Sequence, residues 1–173
     1  MIENKASQRL VLRALEPEDL DFLYSIENDT NLWDFGCANV PYSKFSLNNY
    51  ILGSTCDIYA DKQMRLLMEN GEGKGVGLVD LFNFDPKHSR AEVGIVVANE
   101  YRNMGYAHEA LLQMIAYARH TLHLHQLYVF VDVENDYSKR LFEGAGFTVG
   151  ARLKDWVRKD NRYGDAVMMH FFL

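Results

Sequence analysis

The stretch Ala91-Glu92-Val93-Gly94-Ile95-Val96-Val97-Ala98-Asn99-Glu100-Tyr101-Arg102-Asn103-Met104-Gly105-Tyr106-Ala107-His108-Glu109-Ala110-Leu111-Leu112 reads as an apolar strand, a short polar turn and the start of an amphipathic helix. The turn suits an anion. Gly105 lets the backbone come close to a ligand, and the small Ala107 keeps the first helical turn uncrowded. Unpaired N–H groups at the helix start and the positive end of its dipole then favour a phosphate. A mononucleotide loop of the form G-x-x-x-x-G-K-[ST] is excluded, because no Lys-Ser or Lys-Thr follows Gly105. A dinucleotide fingerprint is excluded too, since it needs three spaced glycines where this turn has one.

Two further segments agree with the first. Val131-Asp132-Val133-Glu134-Asn135-Asp136-Tyr137-Ser138-Lys139-Arg140-Leu141-Phe142-Glu143-Gly144-Ala145-Gly146-Phe147 reads as a strand end, a turn and a helix closing on Gly-Phe. Asn161-Arg162-Tyr163-Gly164-Asp165 is a turn near the end of the chain. Taken in order, the turn Arg102-Asn103-Met104-Gly105-Tyr106-Ala107 resembles the Q/R-x-x-G-x-G/A pyrophosphate loop of the GNAT N-acetyltransferases. The second segment resembles that family's V-x-N turn and following helix, and the third the G-x-Y-x-D turn of its ribosomal-protein N-terminal and spermidine acetyltransferase branch. Asn161 replaces the first glycine of that turn, and asparagine also tolerates a left-handed backbone.

The resemblance implies an α/β (α+β) fold, GNAT-like, with a mixed, mostly antiparallel sheet of about seven strands flanked by about four helices. It implies acetyl-CoA as co-substrate, with pyrophosphate on residues Arg102, Asn103, Met104, Gly105, Tyr106 and Ala107. Backbone groups of Ile95, Val96 and Val97 would pair with the pantetheine amides, Asn135 would lie near the pantetheine arm, and Lys139 near the CoA phosphates. Relatives place a tyrosine in the helix before Gly-Phe to protonate the leaving thiolate; this chain has Phe142 there, so Tyr137, another hydroxyl or solvent is left for that role. Glu92 on the cofactor strand is the candidate base.

The acceptor is less determined. Relatives that act on spermidine carry acidic residues around a Pro-Tyr pair, whereas Pro41-Tyr42 here is surrounded by Asn39, Val40, Ser43, Lys44, Ser46 and Leu47. Without those carboxylates a polyamine loses its main electrostatic attraction. The reading is therefore an N-acetyltransferase of a primary amine, with a peptide or protein N-terminus slightly ahead of a polyamine. A CoA-binding module without turnover is the rival, motivated by Phe142.

The rest of the chain fits one domain over residues 1–173. Its 173 residues, 48% hydrophobic and 13% aromatic, suffice for a sizeable core. A first strand is expected over Gln8 to Ala14, then a helix opened by Glu16-Pro17-Glu18-Asp19. One or two short helices are expected between Asn28 and Ala60, where Gly36, Pro41 and Gly53 fall. Met64 to Met68 and Val76 to Phe84 read as a hairpin, Gln126 to Val133 as the next strand, and Thr148 to Leu173 as two strands about a turn at Asp160 to Gly164. Ala107, Ala110, Leu111, Met114, Ile115 and Ala118 mark the buried face of the central helix.

Net charge of −6 argues against a nonspecific nucleic-acid binder. No run approaches the roughly 18 apolar residues of a membrane span, and no leader is evident, so a soluble, cytoplasmic protein is expected. A homo-oligomer is compatible with this reading. Cys37 and Cys56 are expected to be reduced, each a buried or half-buried small hydrophobe. His123 and His125, if on a strand, would share a face as two metal ligands do, but no third ligand has matching spacing, so no metal site is expected.

Overall fold

A computed structural model describes residues 9–33, 40–159 and 161–173. The remaining residues, among them Gln8, Gly36, Cys37, Asn39 and Asp160 of the readings above, lie outside the described part. The sheet has seven strands, β1 (Leu10–Ala14), β2 (Met64–Asn70), β3 (Gly75–Asp85), β4 (Arg90–Val97), β5 (Gln126–Asp132), β6 (Thr148–Lys159) and β7 (Arg162–Phe172). Their order is β1-β2-β3-β4-β5-β7-β6. Every neighbouring pair is antiparallel except β4 and β5, which run parallel. Parallel strands need a long crossover, and α5 (Tyr106–His120) supplies it.

The described helices before β2 are α1 (Leu20–Glu27), α2 (Thr30–Trp33), α3 (Lys44–Gly53) and α4 (Ile58–Asp61). The opening at Glu16 is a 3-10 turn, Pro17–Asp19, that runs into α1. The Asp19 carboxylate accepts the Glu16 N–H at 2.8 Å and holds the Arg13 guanidinium through two bonds of 2.7 and 2.9 Å, tying the turn to β1. Helix α6 (Asp136–Gly144) ends where Gly146 takes φ +94°, a conformation suited to glycine.

The two faces of the sheet carry separate cores. Leu81, Val93, Leu127 and Met169 pack with Leu111, Met114 and Phe142 of α5 and α6. On the other face Leu67 and Leu78 pack with Leu23 and Ile26 of α1 and Leu47 and Ile51 of α3. This alternation sends odd-numbered residues of β4 toward α5 and leaves Glu92, Gly94 and Val96 on the α1–α3 face.

Several local expectations change. Among the described residues three short helices, not one or two, fall between α1 and β2, at Thr30–Trp33, Lys44–Gly53 and Ile58–Asp61, and Gly53 is the last residue of α3. Ala107 is only half-buried, because it lies on the first turn of α5, before the helix reaches the sheet. The last two strands meet closely enough that Arg162 already pairs with Lys159, so Tyr163 and Gly164 belong to β7 and not to the turn. His123 and His125 lie in the α5–β5 connection, with His123 at φ +51°, so they share no strand face. Cys56 is exposed, not buried, in the α3–α4 connection.

Candidate functional site

Strands β4 and β5 pair only at Arg90↔Gln126, Ala91↔Leu127 and Glu92↔Tyr128. Beyond that point β4 follows β3 to Val97↔Gly77, while β5 follows β7 to Asp132↔Ala166. The two parallel strands therefore diverge, and a V-shaped gap opens in the middle of the sheet. The Ala98 N–H donates to the Val76 carbonyl at 2.9 Å, which fixes the alternation of the antiparallel ladder. Gly94 and Val96 thus exchange hydrogen bonds with β3, and Val93, Ile95 and Val97 turn their N–H and C=O groups to the gap. Arg102 Nε closes on the Val97 carbonyl at 3.2 Å. The Ile95 groups and the Val97 N–H remain directed at the opening, an edge that an extended amide chain can extend. Of the three strand residues named above, Val96 presents its backbone to β3 instead.

At the mouth of the gap the chain passes a 3-10 turn, Asn99–Tyr101, and enters α5 through Asn103 at φ +60° and Gly105 at φ +85°. Gly105 is the residue before the helix. The first helical bond is Glu109 N–H to Gly105 C=O, at 3.2 Å. The N–H groups of Tyr106, Ala107 and His108 precede it and lack a carbonyl one turn back, so they point out of the helix end. A β-carbon at Gly105 would meet only the Arg9 guanidinium, at 3.8 and 3.9 Å. That open space, the exposed amides and the positive end of a 15-residue helix fit a pyrophosphate. Arg9 donates to the Met104 carbonyl and stacks 4.6 Å from the Tyr106 ring centre, adding a cation that the loop motif alone did not reveal.

Across the gap, Asn135 caps α6. Its Oδ1 accepts the Ser138 N–H at 3.0 Å, which leaves the amide NH₂ as the end able to reach a ligand. Lys139 is engaged within its own turn, donating to the Val133 carbonyl at 2.7 Å and pairing with Asp136 at 2.7 Å. Lys159 pairs with Asp132 and Glu134 at 2.6 Å each, so the turn leading to Asn135 is clamped to the β6–β7 hairpin.

The vertex of the V places Glu92 and Tyr128 side by side on the α1–α3 face. Glu92 Oε2 accepts from Asn83 Nδ2 at 2.9 Å. Burial pushes the Glu92 carboxyl above the usual carboxylate range, and the Asn83 hydrogen bond draws it partly back. Tyr128, its register partner, has its hydroxyl pushed up by burial first and by the Glu92 charge second, so it stays protonated. From Tyr128 an aromatic row continues, with ring centres 5.7 Å apart to Phe130 and 5.5 Å from there to Trp156. Trp156 is 56% exposed, so the outer end of the row is free to meet a ligand.

Tyr137 and Phe142 lie elsewhere. Tyr137 is 75% exposed on α6, over which the Arg140 guanidinium sits at 5.3 Å. It is on the opposite side of the sheet from the Glu92 side chain. Phe142 is 3% exposed and packs edge-on against Phe147 at 5.1 Å, so its ring belongs to the core. Asp57 accepts the Tyr59 N–H at the start of α4, and Asp61 holds Thr55 through two bonds. Arg65 is enclosed by carboxylates: burial works against its charge, but Asp80 and Glu27 outweigh burial and raise its pKa. Among the described residues no group of three or more His, Cys, Asp or Glu side chains could hold a metal ion. No described helix is long and apolar enough to cross a membrane.

Comparison with known proteins agrees with this geometry. The profile of the family "Acetyltransferase (GNAT) domain" matches residues 9–148. The chain is 29% identical over 164 residues to the spermidine N(1)-acetyltransferase of Vibrio cholerae serotype O1, covering 95% of this chain and 93% of that one. A Bacillus subtilis protein provisionally assigned as a ribosomal N-acetyltransferase is 28% identical over 174 residues, covering 96% and 93%. The crystal structure of the Vibrio cholerae spermidine N-acetyltransferase with CoA and spermine superposes with a TM-score of 0.83 at 29% identity, covering 95% of each chain. This chain belongs to the GNAT acetyltransferase family. It is an N-acetyltransferase of the mixed α/β GNAT fold, with acetyl-CoA as its co-substrate.

Proposed function

We propose that this protein transfers the acetyl group of acetyl-CoA to a primary amine of the polyamine class, with Glu92 as the base. The observation that carries the reading is the end of β4–β5 pairing at Glu92 and Tyr128, which sets a carboxylate and an aromatic row at the vertex of the cofactor-sized gap. In this reading the amides of residues 105–108 hold the pyrophosphate, and the gap-facing backbone of Ile95 and Val97 holds the pantetheine arm. Asn135 steadies that arm from the other side.

Glu92, directly or through one water, accepts a proton from the amine as its nitrogen attacks the thioester carbonyl. The new C–N bond forms, the C–S bond breaks, and the departing thiolate takes a proton from a hydroxyl or from solvent. A second ammonium of a polyamine rests against the faces of Phe130 and Trp156, which attract cations without a carboxylate. This compensates for the missing acidic residues near Pro41-Tyr42, where Lys44 is itself paired with Asp21 at 2.6 Å.

The kinship to spermidine acetyltransferases supports the polyamine over the peptide acceptor preferred from sequence. The Bacillus relative supports a peptide N-terminus as the second reading. One domain, a cytoplasmic location and partners other than nucleic acid or membrane complete the proposal. Exposed Val149, Trp156, Tyr163 and Phe172 on the β6–β7 hairpin offer apolar surface for self-association. The test is acetyl-CoA-dependent thiol release over a panel of spermidine, spermine, free amino acids and short peptides.

A further inference from the structure

Strand β3 contains a local irregularity opposite Ala91. Phe82 pairs with Glu92 and Asp85 with Arg90, so Asn83 and Phe84 together face the single residue Ala91 across the ladder. This is a β-bulge. Asn83 adopts φ +48° within it, a left-handed conformation that is rare for a strand residue but accessible to asparagine. The bulge frees the Phe84 N–H from the ladder, and that group donates to the Lys62 carbonyl at 3.3 Å instead. Phe84 itself is 5% exposed and anchors the distortion in the core. A second polar consequence lies on the sheet surface. The Asn83 amide is turned along the sheet surface until Nδ2 meets Glu92 Oε2 at 2.9 Å.

We propose that Asn83 is a positioning residue for Glu92, and that the bulge and left-handed backbone at Asn83 exist to aim its amide at the catalytic carboxylate. This rests on the reading of Glu92 as the base. A carboxylate accepts hydrogen bonds only, so an amide donor fixes one oxygen and leaves the other pointing to the acceptor amine. The donor also favours the charged form of a group that burial disfavours. The other titratable groups around this pair are Tyr128 on β5, the Arg90–Asp85 pair, and Asp61 and Lys62 at the end of α4. Those last two line a cleft of about 580 Å³ with Gln63, Phe82, Asn83 and Phe84.

Asn83→Gly separates aim from backbone, because glycine adopts φ +48° at no steric cost while removing the amide. The titration of Glu92 is followed by carboxyl ¹³C NMR in the ligand-free protein, with Glu92→Gln assigning the resonance. The expected result is a Glu92 midpoint displaced to higher pH in Asn83→Gly. In Asn83→Asp, where two carboxylates share the site, the displacement is larger. Relief of the left-handed backbone at φ +48° offsets part of the lost hydrogen bond, so the glycine variant stays folded, with a melting temperature close to wild type in acid and somewhat below it at neutral pH. In kinetics, kcat/KM for the best amine falls about three- to tenfold below the acidic limb and recovers at alkaline pH, with KM for acetyl-CoA unchanged. An unchanged Glu92 midpoint in Asn83→Gly overturns the assignment whatever the rate does. A displaced midpoint combined with wild-type rates in Glu92→Gln overturns Glu92 as the base, and with it the catalytic purpose of Asn83.

Discussion

Glu92 and Tyr128 form the last register pair between the two parallel strands of the sheet, and beyond them the two strands no longer pair with each other. A carboxylate and a phenol are thus held side by side where the sheet stops being continuous. Strand pairing below them fixes their separation, and the absence of pairing above them gives a ligand access.

The pH behaviour of Glu92 follows from that position. Burial raises its folded-state pKa, so the fold prefers the protonated acid. That contribution is complete below the unfolded-state carboxylate range and is lost as pH rises through the raised value. Glu92→Gln is therefore expected to melt higher than wild type at neutral and alkaline pH and to converge with it in acid. The same variant should lose about 10²–10⁴-fold in kcat, the usual contribution of a positioned base. Thermal scans and rates across pH check both halves.

Gly105 holds φ +85° directly before α5. Gly105→Val places a β-branched residue in a left-handed backbone, at a cost of about 1–3 kcal/mol, in addition to blocking the pyrophosphate. Acetyl-CoA affinity measured by calorimetry should fall at least tenfold, roughly 1.4 kcal/mol. Denaturation should show a loss of stability as well, so the fold is not a bystander at this position.

Arg65 joins β2 to α1 and β3 through Glu27 and Asp80, at 2.5 and 2.9 Å, with about a quarter of its side chain exposed. Replacing it by methionine removes the cation that Glu27 and Asp80 share. A cost of about 2–4 kcal/mol is expected, toward the lower side of fully buried pairs because of that exposure. Adding Asp80→Asn to Arg65→Met should recover part of the loss, and denaturant midpoints measure both. KM for acetyl-CoA should stay unchanged in whichever variants remain folded.

The strand, turn and helix of the proposed cofactor side were legible in the sequence, because strand–turn–helix signals are local. A short apolar run before the polar turn and a period near 3.6 after Gly105 specify β4 and α5 without knowledge of the rest. The same holds for Asn135 at the start of α6. The side proposed for the acceptor was not legible. Tyr128, Phe130 and Trp156 come together only through the register of β5 on β7 and of β7 on β6, which packing sets over long separations. Asn83 was hidden by a bulge inside what reads as a regular strand. Lys139 looked free on a helix surface, yet the Val133 carbonyl two positions before the Asn135 cap claims its ammonium. Phe142 carried a family signal for a missing acid, and only packing reveals that its ring lies in the core.

The aromatic row should matter for the acceptor and not for the cofactor. Trp156→Ala removes the exposed end of the row without opening the core, so stability should change little. KM for spermidine should rise about three- to thirtyfold, the worth of a cation–π contact of about 0.5–2 kcal/mol, while KM for acetyl-CoA holds. Steady-state kinetics with each substrate varied in turn separates the two constants.

The central claim is tested most directly by incubating the purified protein with acetyl-CoA and the amine panel, following thiol release and identifying products by mass spectrometry. The account expects thiol release that depends on the amine, N-acetylspermidine as a product, and a higher kcat/KM for spermidine than for any peptide. Failure of acetyl-CoA to bind by calorimetry, together with no thiol release on any amine, would contradict it.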